Sequence, residues 1–138
     1  MHFDLVDRVL AVSAERIVTL KQVSRAEEYL QDHFPEFPVL PGVFMVESLV
    51  QAARRLIEHN GGPTRLVLGG VRALKYGSFV RPGESLRVEV TLHKANPDGT
   101  FEFKGEGSVL RALGGDGTET GDTPTAVSGR FVLRPIHG

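Results

Sequence analysis

The chain contains no cysteine, which rules out disulfides, thiolate metal sites and a cysteine nucleophile. It also lacks a basic excess. The formal net charge is −1, against the cationic surplus of a general nucleic-acid binder, although a local basic patch stays compatible with that value. No apolar run approaches the roughly 18 residues that a membrane span needs. The opening MHFDLVDRVL has no basic segment followed by an apolar core, so no signal peptide is expected and a cytoplasmic location follows as the expectation.

The remaining composition is that of a globular domain, with 41% apolar and 24% charged residues among 138. One domain is expected, spanning residues 1–138. A chain of this size buries about 68–70% of its unfolded surface and needs no staple. Two β-rich runs flank Ser13-Ala14-Glu15 and predict a hairpin, with residues 16–20 in its second arm. Residues 25–31, after Ser24, read as a short helical turn. Residues 43–59 form the one long helical pattern. Val43, Val46, Val50, Ala53 and Ile57 recur at spacings of three and four, and Asn60-Gly61-Gly62-Pro63 stops the run. Strands are expected over residues 65–76, 85–94, 100–113 and 126–133. In the second of these Leu86, Val88, Val90 and Leu92 alternate cleanly with polar residues. Asn96-Pro97-Asp98-Gly99 is a tight turn, and the glycine-rich residues 114–124 carry no assigned chemistry. One apolar helix and five or six strands bury each other most simply as a curved antiparallel sheet wrapped over the helix, an α+β architecture.

Between the hairpin and the helix lies DHFPEFPVLPG. Pro35, Pro38 and Pro41 each fix φ and push the preceding residue out of the helical region. The loop therefore loses little entropy on folding and holds His33 in one place. Gly42 has no Cβ, so a ligand can approach its backbone closely, and the first N–H groups of the helix lack internal partners and carry partial positive charge. Glu47 follows near the helix start and Gln51 lies one turn on, with Arg54, Arg55 and Glu58 continuing a polar strip. Each feature has a plainer reading. A histidine after a loop is usually a surface residue, a glutamate near a helix start suits the dipole, and residues 51–58 read as a solvated face. Composition and spacing alone lead to an α+β domain with a histidine and a carboxylate worth watching.

The stretch HFPEFPVLPGVFMVESLVQAA resembles the motif of the β-hydroxyacyl-acyl carrier protein dehydratases of fatty-acid synthesis. The matching residues are His33, Phe34, Pro35, Pro38, Val39, Pro41, Gly42, Val43, Glu47 and Gln51. LVDRVL, RIVTLKQV, RPGESLRVEVTL and FKGEGSV extend the likeness over most of the chain. The resemblance implies a hot-dog fold and the dehydration of 3-hydroxyacyl thioesters to enoyl thioesters. It implies His33 as general base, Glu47 as the carboxyl group assisting departure of the hydroxyl, and the Gly42 N–H as donor to the thioester oxygen. Gln51 would orient Glu47, and Val39 and Pro41 would line the substrate site. No metal or organic cofactor is implied. The resemblance further implies a homodimer that shares its active sites, and it leaves open a hexamer built as a trimer of dimers. The substrate would be a thioester of acyl carrier protein or coenzyme A. Glutamate rather than aspartate at position 47 goes with the plain dehydratase, not the one that also isomerises the double bond. Because carrier proteins are acidic, Arg72, Lys75, Arg81 and Arg87 are candidates for docking. Departures include Asp32 where the family has glycine, and Arg54-Arg55 where it stays small and apolar. Rival expectations are a hot-dog thioesterase and a non-catalytic subunit of the same fold.

Overall fold

The computed structural model describes residues 4–23, 39–110 and 123–136. His33, the expected helical turn over residues 25–31 and most of the glycine-rich segment fall outside them.

Strands β1 (Arg8–Val12) and β2 (Arg16–Gln22) form the first hairpin, closed where the Ser13 N–H donates to the Arg16 carbonyl. The long helix α1 spans Gly42–His59. Four strands follow: β3 (Leu66–Tyr76), β4 (Ser85–Ala95), β5 (Phe101–Leu110) and β6 (Thr125–Pro135). All pairings are antiparallel and the sheet order is β1-β2-β4-β5-β6-β3. The helix carries the chain from β2, near one edge, to β3 at the other, and the sheet curves around it.

The helix stops where the sequence says it should. Gly61 adopts φ 79°, the Gly61 N–H reaches the Glu58 carbonyl and the Gly62 N–H reaches the Ile57 carbonyl. This is the paired closure that a left-handed glycine allows. The helix lays Met45, Leu49, Ala52, Ala53, Leu56 and Ile57 on the sheet. They meet Leu86, Val88 and Val90 of β4 and Phe103 of β5, the alternating inner positions. Gly105 lets the layers close: a Cβ there would stand 3.0 Å from Phe131 and 3.2 Å from Leu49. Phe103 and Phe131 stack with centroids 5.3 Å apart.

Two readings need correction. Val43 was expected on the buried face, but it is 69% exposed. It starts a strip, continued by Glu47 and Arg54 at spacings of four and seven, that turns away from the sheet. Gln51 and Ser48, expected in the polar strip or left unplaced, are buried. Ser48 manages this by donating its hydroxyl to the Phe44 carbonyl at 2.9 Å. Beyond Leu66 and Val67 the edge strand β3 is exposed along its whole length, with Leu68, Val71 and Leu74 open to solvent.

Candidate active site at the mouth of the helix

Pro41 caps α1 with φ −60° and ψ 144°, an extended conformation set by its ring. Its carbonyl accepts from the Phe44 N–H at 3.0 Å and the Met45 N–H at 3.2 Å. Among the described residues the N–H groups of Gly42 and Val43 have no acceptor. Among the described residues no side chain caps this end, and the first turn holds no acidic residue. The partial positive charge of the helix is therefore uncompensated by the first turn.

Gly42 lines a cavity of about 260 Å³ with Val39, Pro41, Met45, Tyr76 and Phe79 and their neighbours. The lining is mostly apolar, with the backbone of the helix mouth at one end, a shape suited to an acyl chain with a polar head. Val39, Pro41 and Gly42, expected as substrate-binding residues, thus line one space. Tyr76, the last residue of β3, lies across the mouth: a Cβ on Gly42 would stand 2.9 Å from its ring. Sequence reasoning missed Tyr76 because its position depends on β3 running back past the helix start, and nothing local to KYGSF signals that pairing.

Glu47 sits in the second turn, outside the cavity lining and on the open strip with Val43. Its side chain is half-buried. The Gln51 Nε2 donates to Glu47 Oε1 at 3.4 Å, while Gln51 Oε1 accepts from the Leu5 N–H at 2.8 Å. Arg54 Nη1 lies 3.8 Å from the same Glu47 oxygen, and its Nε donates to the Leu66 carbonyl at 2.9 Å. The pairing of Gln51 with Glu47 follows from their spacing of four. The Arg54 anchor is tertiary and was not legible. Among the described residues, no three His, Asp or Glu side chains gather as metal ligands would.

The four basic residues suggested for docking do not form one group. Arg72 and Lys75 stand on β3. Arg72 is paired in register with Arg130 of β6, which is paired in register with Lys104 of β5. Arg72, Lys104 and Arg130 line a second cavity of about 260 Å³ with His93 and Glu102, where Arg72 Nη2 is 4.0 Å from Glu102 Oε1. Among the described residues Lys75, Lys104 and Arg130 form no ion pair. Arg87, on β4 and paired in register with β2, is instead held by Glu89 at 3.4 Å. Arg81 belongs to the turn before β4, where its N–H meets Glu84.

A curved antiparallel sheet around one helix, with an apolar cavity at the helix mouth, defines a hot-dog protein. The family model for ApeI-like dehydratases, described as ApeI dehydratase, matches residues 10–112, and the chain belongs to this dehydratase family. It is 47% identical over 94 residues to the 3-hydroxyacyl-[acyl-carrier-protein] dehydratase FabZ of Oenococcus oeni, a match covering 65% of this chain and 67% of that one. It is 36% identical over 119 residues to the FabZ of Ruminiclostridium cellulolyticum, covering 75% and 83%. Among solved structures, the dehydratase heterocomplex ApeI:P from Xenorhabdus doucetiae aligns with a TM-score of 0.65 at 15% identity, over 96% of this chain and 99% of that one. A hypothetical thioesterase protein of Streptococcus pneumoniae with coenzyme A aligns at 0.66 and 9% identity, over 94% and 84%. At such identities these two matches speak for the fold alone.

Proposed function

We propose that this protein removes water from 3-hydroxyacyl thioesters on acyl carrier protein, giving trans-2-enoyl thioesters for fatty-acid or related acyl-chain synthesis. The His33 imidazole takes the proton from C2. Charge that builds on the thioester oxygen is met by the Gly42 N–H. The C3–O bond breaks, and the hydroxyl leaves as water with a proton delivered by Glu47 or through a water beside it. A positioned acid or base contributes about 10²–10⁴ in rate, and an oxyanion donor about 2.7–4 kcal/mol. Together with a fixed acyl chain, these terms make a plausible dehydratase without a further group.

The observation that carries this reading is the helix mouth: Gly42, whose N–H has no acceptor among the described residues, lines an apolar cavity, and a carboxylate is held one turn further on. The names of the relatives supply the substrate class. The exposed edge of β3 supports a homodimer. Eleven residues long, with Leu68, Val71 and Leu74 uncovered, it offers unpaired backbone groups to a second copy. Glu47 and Val43, open on one protomer, then face the partner, and each site takes its histidine from one subunit and its carboxylate from the other. Arg72 and Lys75, extended by Lys104 and Arg130, are the docking surface that best suits an acidic carrier. Like charges directly opposite on neighbouring strands repel, and an acidic partner relieves that cost.

Incubation with a crotonyl thioester tests the reaction. Hydration to the 3-hydroxyacyl thioester is the expected outcome, and His33→Ala abolishes it while the protein keeps its fold. Release of free thiol instead would make the protein a thioesterase. Full hydration by His33→Ala would remove His33 from its role.

A further inference from the structure

We infer that Arg54 is a positioning residue for Glu47, a role that rests on Glu47 being the carboxyl group of the reaction. An arginine on the open side of a helix ordinarily trails into solvent, because ordering its long side chain costs rotamer entropy. Arg54 is instead tied down. Its Nε donates at 2.9 Å to the carbonyl of Leu66, the buried first residue of β3. Its side chain is only 29% exposed. That anchor fixes the guanidinium plane and leaves Nη1 3.8 Å from Glu47 Oε1. Seven residues on, two turns along the helix, Arg54 lies on the same side as Glu47.

Gln51 approaches from the other flank. Because the Leu5 N–H occupies Gln51 Oε1, the Nε2 end of the amide turns to Glu47, and it too meets Oε1, at 3.4 Å. One hydrogen-bond donor, fixed by the N-terminal segment, and one cation, fixed by β3, thus converge on a single oxygen. Glu47 Oε2 has no partner among the described residues and stays available to a reacting group. The clamp selects which oxygen works and holds it still. Lysine cannot replace arginine here, since one ammonium on a flexible stem does not serve both the Leu66 carbonyl and the carboxylate with fixed geometry.

Steady-state hydration of a crotonyl thioester and thermal unfolding test this on Arg54→Met, Arg54→Lys, Glu47→Gln and the Glu47→Gln/Arg54→Met double variant. In both Arg54 variants kcat falls roughly tenfold with KM nearly unchanged. Glu47→Gln keeps a measurable residual rate, about 10²–10⁴ below the parent, and in that background the same Arg54→Met change costs nothing further. Wild-type kcat in both Arg54 variants overturns the inference, as does an equal loss with and without the Glu47 carboxylate, which marks a purely structural role. If Arg54→Met does not fold, Arg54→Lys carries the comparison alone, paired with its own Glu47→Gln double variant. Full activity of Glu47→Gln overturns the reading of Glu47 itself, and the inference with it. A Glu47→Gln variant reduced to its residual rate beside unimpaired Arg54 variants refutes only the inference.

Discussion

Gly42 is where the backbone must be bare. A Cβ would stand 2.9 Å from the ring of Tyr76, a half-exposed side chain able to swing away. The helix itself would prefer alanine by about 1 kcal/mol. Gly42→Ala is therefore expected to unfold at the same or a higher temperature, yet to lose crotonyl-thioester hydration at least tenfold as the mouth narrows. Tyr76→Ala in the same chain should restore part of the rate. Unfolding scans with steady-state rates check this, and an unimpaired Gly42→Ala contradicts the role of that mouth. The extended Pro41 before Gly42 and the pairing of Gln51 with Glu47 were legible because they are local, a matter of ring chemistry and helical period. Tyr76 and the Arg54–Leu66 contact were not, since both depend on where β3 returns.

Single strands obey the same division. The alternation in β4 was plain because one face is buried, and period two then shows in the letters. In β3 neither face is covered within one protomer, so no alternation marks its register. On β2, Thr19 is 1% exposed and its hydroxyl has no partner among the described residues. Such a group carries a desolvation cost. Thr19→Val, of like shape and equally at home in a strand, is expected to raise stability by about 1 kcal/mol, read as a rise in Tm. A lower Tm would mean that the hydroxyl is satisfied. On the outer face of the sheet, Glu89 accepts from Arg16 Nε at 2.7 Å and from Arg87 Nη1 at 3.4 Å. The hydrogen bond from Arg16, with Arg87 adding to it, holds the Glu89 carboxyl below its ordinary value of 4.5. A carboxyl lowered in the folded state stabilises above its unfolded value and loses that contribution as pH falls through the folded one. Glu89→Gln should therefore be less stable than the parent at neutral pH, with the gap closing in acid. Urea titrations at several pH values check this, and a gap that persists in acid contradicts it.

At the scale of the whole molecule, the α+β class followed from one apolar helix and several strands with nothing else to cover them. The strand order did not follow. It depends on the helix carrying the chain across the sheet, so that β3 lands beside β6 at the far edge. That placement leaves a long bare edge, an open strip bearing Glu47, and a helix mouth whose first N–H groups have no acceptor among the described residues. The proposed pairing of two copies along β3 would cover that edge.

The most direct test mixes two variants, each slowed by about 10²–10⁴. His33→Ala and Glu47→Gln chains, unfolded together and refolded, should recover about a quarter of the wild-type rate, because half the dimers are mixed and each mixed dimer rebuilds one complete site. No recovery, with mixed dimers confirmed by mass, would mean that histidine and carboxylate act within one chain and would contradict the shared site.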